Sequence, residues 1–196
     1  MFSIKTMRKK LASSSGFSII ELLIAAVVTS IVAGAALQFY GSLHGQSETQ
    51  VEISDVQNIC RITLQEIKKT LRMAGYKTGT HAPFEINGDT LAIYMKPDST
   101  VDTTLYFLQE YADYEYSQMK GFPTGKKLYR LMKQEGSNAP AAYSDYLGGV
   151  TVVQIDSANV AITVTAFVTK ADEKYPLDNG YRSFSSAERV KLRNVG

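Results

Sequence analysis

From Phe17 to Tyr40 the chain is apolar at every position except Ser18, Glu21, Thr29, Ser30, Gly34 and Gln38. As a helix, 24 residues at about 1.5 Å each reach about 36 Å, enough to cross a hydrocarbon layer of roughly 30 Å. The pattern therefore predicts a membrane-spanning helix over residues 17 to 40. Glu21 is the anomaly, because a carboxylate at bilayer depth costs about 2.5–3.5 kcal/mol on insertion scales and needs a compensating partner.

After residue 40 the pattern loosens through "GSLHGQSETQ", where Gly41 and Gly45 predict an interfacial hinge. Apolar residues then return at helical spacing: Ile53, Val56, Cys60, Leu64, Ile67 and Leu71, with Glu52, Asp55, Arg61, Glu66, Lys68 and Lys69 on the other face. This is the stripe of an amphipathic helix over 46 to 74, buried on one side. Cys60 lies on that stripe and reads as a small core residue. Gly75 supplies a stop. A single helix from 17 to 74 would be about 87 Å long, so its second half must lie outside the membrane.

Beyond residue 75 the period shortens. "DTLAIYMK" (89 to 96), "TTLYFLQE" (103 to 110), "KKLYRLMKQ" (126 to 134), "GVTVVQID" (149 to 156), "VAITVTAFVTK" (160 to 170) and "RVKLRNV" (189 to 195) are short and rich in β-branched and aromatic residues. Asn87-Gly88-Asp89 leads into the first, and Asp156-Ser157-Ala158-Asn159 reads as a hairpin between the fourth and fifth. The expected fold class is α+β, a long helix packed on an antiparallel sheet. The domain organisation follows as a leader over 1 to 16, the long helix over 17 to 74 and a β-rich extracytoplasmic head over 75 to 196.

Charge orients this arrangement. The first sixteen residues hold Lys5, Arg8, Lys9 and Lys10 and no acid, four of the chain's 21 Lys and Arg, which leaves the remainder at −2 against 19 Asp and Glu. A basic leader before an apolar span stays in the cytoplasm and sends the rest across. With the remainder near neutral, no nucleic-acid partner is expected. The lone Cys60 admits no intrachain disulfide, so the head must rest on a packed core. A cleavable secretory signal with an Ala33-Gly34-Ala35 site is the competing reading of the N-terminus, and an ordinary single-span anchor is another. Glu21 within the apolar run, and the amphipathic stripe that resumes beyond it, argue against both.

"SSSGFSIIELLIA", with a basic leader, Gly16 and Phe17 at a junction and Glu21 fifth in the chain that would remain, resembles the processing site of type IV prepilins and type II secretion pseudopilins. The resemblance implies cleavage between Gly16 and Phe17 by a prepilin peptidase, N-methylation of Phe17, and a lollipop-shaped subunit anchored in the inner membrane before it enters a pilus fibre. It also implies that Glu21 pairs with the terminal amine of a neighbouring subunit, an attraction that offsets desolvation of both charges in low dielectric. Small residues at Ala25, Ala26, Ser30, Ala33 and Gly34 would let such helices approach closely.

"LRMAGY" (71 to 76), "RVKLRN" (189 to 194) and "LYFL" followed by "KKLYR" are similar to PilW-class minor pilins and the related J-type minor pseudopilins. Major pilins commonly carry a C-terminal disulfide and a proline in the membrane helix. Here Pro83 is the first proline and Cys60 stands alone. The implied role is a minor pilin that initiates, primes or caps pilus assembly, with other minor and major pilins, the prepilin peptidase and membrane lipid as partners. A type II secretion pseudopilin is the alternative within the family. A DNA-binding competence pilin and a secreted enzyme are the alternatives outside it.

No catalytic, metal or cofactor site is expected. His44, His81 and Cys60 are scattered along the chain, and Asp98, Asp102, Asp172 and Asp178 lack EF-hand spacing. Gly121-Phe122-Pro123-Thr124-Gly125-Lys126-Lys127 is one residue short of a P-loop, with Lys127 where Ser or Thr should bind magnesium, and reads as a turn before a strand. "QEYADYEYSQMKGFPTGKK", with Tyr111, Tyr114 and Tyr116, reads as a solvated loop with a few packed tyrosines, or else a subunit contact.

Overall fold

A computed structural model describes residues 16–78, 82–96, 102–116, 119, 121–172 and 174–194. The chain divides into two compact units, Met1–Gln46 and Ser47–Gly196. Helix α1 runs over Ile19–Met73 without interruption. The expected loosening at Gly41 and Gly45 is thus corrected. Each glycine costs about 1 kcal/mol in a helix, but elongation of an existing helix is favourable, so two of them do not break a helix nucleated on both sides.

In the first unit every described residue is exposed, including Ile24, Val28, Ile31 and Leu37. The second unit holds the C-terminal half of α1 and a seven-stranded antiparallel meander: β1 (Phe84–Asn87), β2 (Thr90–Met95), β3 (Asp102–Glu110), β4 (Tyr129–Glu135), β5 (Ala141–Gln154), β6 (Asn159–Phe167) and β7 (Ser183–Lys191), in that spatial order. A one-turn helix α2 (Asp113–Tyr116) lies between β3 and β4, and a 3₁₀ turn (Asp178–Gly180) precedes β7. The long apolar helix packed on an antiparallel sheet is the α+β fold expected.

The helical stripe and the strand alternation meet in one core. Val56, Cys60, Leu64, Ile67 and Leu71 are buried against Val160, Ile162, Val164 and Ala166 of β6, together with Tyr106, Leu131, Leu147 and Val190. From Val160 to Ala166 of β6 the buried residues fall at every second position, the period of a strand with one face covered.

One strand, β1, was not expected from the sequence, and the bounds of others differ from the expectation, β6 ending at Phe167 rather than at residue 170. β1 is four residues long and shows no alternation; the two-residue turn Gly88-Asp89, with Gly88 at φ +59°, pairs it to β2 through Asn87 and Thr90. β4 begins at Tyr129 because a turn over Pro123–Lys126 consumes the preceding residues. β5 begins at Ala141, and register shifts near Leu131 and Leu147 absorb its extra residues. β7 begins at Ser183 and ends at Lys191, since a serine-rich start carries little β signal but pairs fully with β6.

Candidate functional site

Gly16 has no atom within 4 Å of the place a Cβ would occupy, and Phe17 is 85% exposed. A peptide bond between two such residues is sterically open to an enzyme. The helix starts two residues later, and its first turn is closed by two side chains. The Ser18 N–H donates to Glu21 Oε2 at 3.0 Å, and the Ile20 N–H donates to Ser18 Oγ at 3.3 Å. This reciprocal arrangement is a capping box, which satisfies backbone donors that a helix N-terminus otherwise leaves orphaned. The signal was legible as Ser18-x-x-Glu21 ahead of an apolar run, and sequence reasoning missed it by treating Glu21 as a charge alone.

Lower in the same segment, Ser30 Oγ donates to the Ala26 carbonyl at 2.8 Å, so this hydroxyl is satisfied within its own helix, as an apolar surrounding requires. Ala25, Ala26, Ala33 and Gly34 are exposed, and a Cβ at Gly34 would meet open space. The leader charges Lys5, Arg8, Lys9 and Lys10 lie outside the described residues, as does His81.

The polar groups of the second unit serve its packing. Lys133 Nζ lies 2.6 Å from both Glu66 and Glu135, while the Tyr106 hydroxyl donates to Glu66 at 3.2 Å and stands 2.8 Å from Thr70 Oγ1. Burial pushes the Glu66 carboxyl up, but its hydrogen bonds from Lys133 and Tyr106 outweigh that and leave it below the ordinary value. Burial would lower the Lys133 ammonium, yet its carboxylate partners hold it above the usual lysine range. This cluster ties α1 to β3 and β4.

Around α2, Tyr111 donates to Asp145 at 3.0 Å and packs against Tyr116 and Tyr146, and Arg130 bridges Asp145 and Glu115. Tyr111 and Tyr116 are therefore packed residues. Lys126 and Lys127, at the end of the P-loop-like turn, pair with Asp178 and Glu110. Cys60 is fully buried, and that burial raises its thiol to about 11, which keeps it protonated and unreactive at neutral pH. Among the described residues no group of three or more His, Cys, Asp or Glu side chains could hold a metal ion.

Comparison with known proteins then identifies the N-terminal segment. Residues 11–37 match the family model of the prokaryotic N-terminal methylation motif. No curated protein sequence matches the chain. Among solved structures, the chain is similar to a type IV-like pilin from Thermus thermophilus, with 11% identity and a TM-score of 0.44 over 71% of this chain and 98% of that one.

Proposed function

We propose that this type IV pilin-like chain, with its N-terminal methylation motif, is a minor pilin, processed between Gly16 and Phe17, methylated on Phe17 and engaged in initiating, priming or capping a pilus. The observation that carries the reading is the motif match over residues 11–37, which overlaps the start of an exposed apolar helix, Ile19–Met73, long enough to span a membrane. The leader remains cytoplasmic and the residues after the span lie in the periplasm, by the charge bias of the leader. Prepilin peptidase, other pilins and membrane lipid are the partners of such a chain.

The capping box supports a mechanism for Glu21. A carboxylate has about four acceptor positions, and the Ser18 N–H occupies one on Oε2. The Oε1 side is left to receive the ammonium that cleavage creates on Phe17 of a neighbouring subunit. One residue thereby starts its own helix and sets the register of the next. Among apolar helices the ion pair replaces two separately buried charges, each costly alone.

The test is the mass of the mature N-terminus recovered from membranes, together with Glu21→Ala. A chain beginning at methylated Phe17 is expected, with the variant processed normally but absent from fibres. A start near Ala36, or an uncut Met1, overturns the reading. A pseudopilin of a type II secretion system uses the same residues in the same way, and secretion without surface pili in the producing cell would select it.

A further inference from the structure

The second unit carries a groove whose chemistry none of the preceding roles uses. It runs between α1 and β7. One end is lined by Gln57, Arg61, Leu64, Gln65, Phe184 and Ser186. The other is lined by Lys68, Lys69, Arg72, Met73 and Arg193, and Gln65 stands in the wall of both. Glu188 is the acid in its wall and is neutralised by an ion pair with Lys68. Arg61, Lys69, Arg72 and Arg193 are exposed and make no ion pair among the described residues. Four cations without an ion pair thus line this groove on a unit whose overall charge is slightly negative.

The wall formed by β7 adds a second property. β7 is the last strand of the sheet and pairs only with β6 among the described residues, so its outer edge presents unpaired backbone donors and acceptors. An open edge is a template for another strand. From Gln57 to Met73 the helix advances about 24 Å at about 1.5 Å per residue, and from Phe184 to Arg193 the extended chain advances about 30 Å at about 3.3 Å per residue. A peptide of seven to nine residues in extended form fits that length.

We infer that the α1–β7 groove is a docking site for an extended, acidic polypeptide segment of a partner subunit, which adds to the free edge of β7 and sets its carboxylates against Arg61, Lys69, Arg72 and Arg193. A phosphate polymer would satisfy the cations but not the edge, because only a polypeptide backbone matches the donor and acceptor spacing of a strand. Leu64 and Phe184 at the floor supply an apolar contact for alternate side chains of the incoming strand. This surface lies outside the anchor, and its use does not depend on whether residues 1 to 16 are removed.

The probe is a fluorescein-labelled nonapeptide of alternating Glu and Val, titrated against the full chain in non-ionic detergent and read by anisotropy. Saturable binding is expected. Lys69→Glu, Arg72→Glu and Arg193→Glu combined should weaken it roughly tenfold, since each exposed charge pair contributes little on its own and three are reversed. The same peptide N-methylated at alternate nitrogens keeps its charge but loses edge pairing, and it should not bind. Amide exchange along β7 of the unaltered chain should slow when the unmethylated peptide is present, a readout independent of any variant's folding. Equal binding of the methylated peptide, equal binding by the triple variant, no binding at all, or unchanged exchange in β7 overturns the inference. Displacement of the peptide by a nine-nucleotide oligothymidylate at matching affinity also overturns it, in favour of a charge-only surface.

Discussion

Helix α1 contains two halves with the same backbone and opposite relations to solvent. Before residue 46, Ile24, Val28 and Ile31 point outward at more than half exposure, and the hydrogen bonds of Ser18, Glu21 and Ser30 are made within the segment itself. After residue 47, Val56, Cys60, Ile67 and Leu71 are buried, and Glu66 and Lys68 find partners on strands far along the chain. The first half is complete only in a surrounding that covers it, lipid or other helices, whereas the second is covered by its own sheet. The division teaches that an apolar helix on its own brings local hydrogen bonding and leaves its side chains for others, while the amphipathic stripe commits its side chains at once.

The sharpest way to test that division is to remove equal volumes from the two halves. Ile67→Ala opens a cavity at a fully buried position and should cost the second unit about 2–5 kcal/mol, while Ile24→Ala should leave its stability unchanged within error. Chemical denaturation of the full chain in detergent, followed by tyrosine fluorescence since the chain has 12 Tyr and no Trp, reads both. A comparable loss from Ile24→Ala would erase the distinction.

A smaller effect is expected from the polar ties. Lys133→Met leaves Glu66 partly buried with only the tyrosine donor, which should cost about 1–3 kcal/mol at neutral pH. The pH dependence has two signs. Because the folded Glu66 carboxyl lies below its ordinary value of 4.5, its contribution is present above that pH and is lost as pH falls through the folded value. Because the folded Lys133 ammonium lies above 10.5, its contribution is intact below that pH and is lost as pH rises through the folded value. The variant should show neither edge in a series of melts across pH, and an unchanged acid edge would assign it to other carboxylates.

The two halves also differ in how much of them could be read from sequence. The anchor was legible from the length of its apolar run, and the stripe from Val56 to Leu71 and the β6 alternation from their strong period. The stripe is periodic in helix, the alternation in strand. β1 was not legible, since four residues carry no period and owe their pairing to the Gly88 turn. The serine-rich start of β7 was missed for the complementary reason, because its backbone pairing with β6 is complete while its side chains advertise little. Gly75 was read as a helix stop, but its second constraint comes from a residue far along the chain. A Cβ there would fall 2.7 Å from the Asn194 carbonyl oxygen, and Asn194 Nδ2 in turn donates to the Ala74 carbonyl at 3.3 Å. That contact links "LRMAGY" with "RVKLRN" physically, and no local pattern could announce it. The edge groove stayed invisible because Lys69, Arg72 and Arg193 become neighbours only after folding.

The least perturbing test concerns the start of α1, where local hydrogen bonding is all that holds the first turn. Ser18→Ala removes the acceptor for the Ile20 N–H while leaving the Glu21 carboxylate and its bond to the residue 18 amide in place. Loss of an N-cap hydroxyl typically costs about 0.5–2 kcal/mol of helix stability. In the full chain this should appear as faster amide exchange confined to the first turn, with Cys60 as unreactive to alkylation as before, because its burial belongs to the other half. Glu21→Gln keeps an acceptor for the residue 18 N–H but removes the charge, so it should preserve that protection while failing to pair with a neighbour's ammonium. If Ser18→Ala and Glu21→Gln instead lose protection and fibre entry together, capping and assembly are one function of the carboxylate. If they separate, Ser18 shapes the helix end and the charge of Glu21 is reserved for the neighbour.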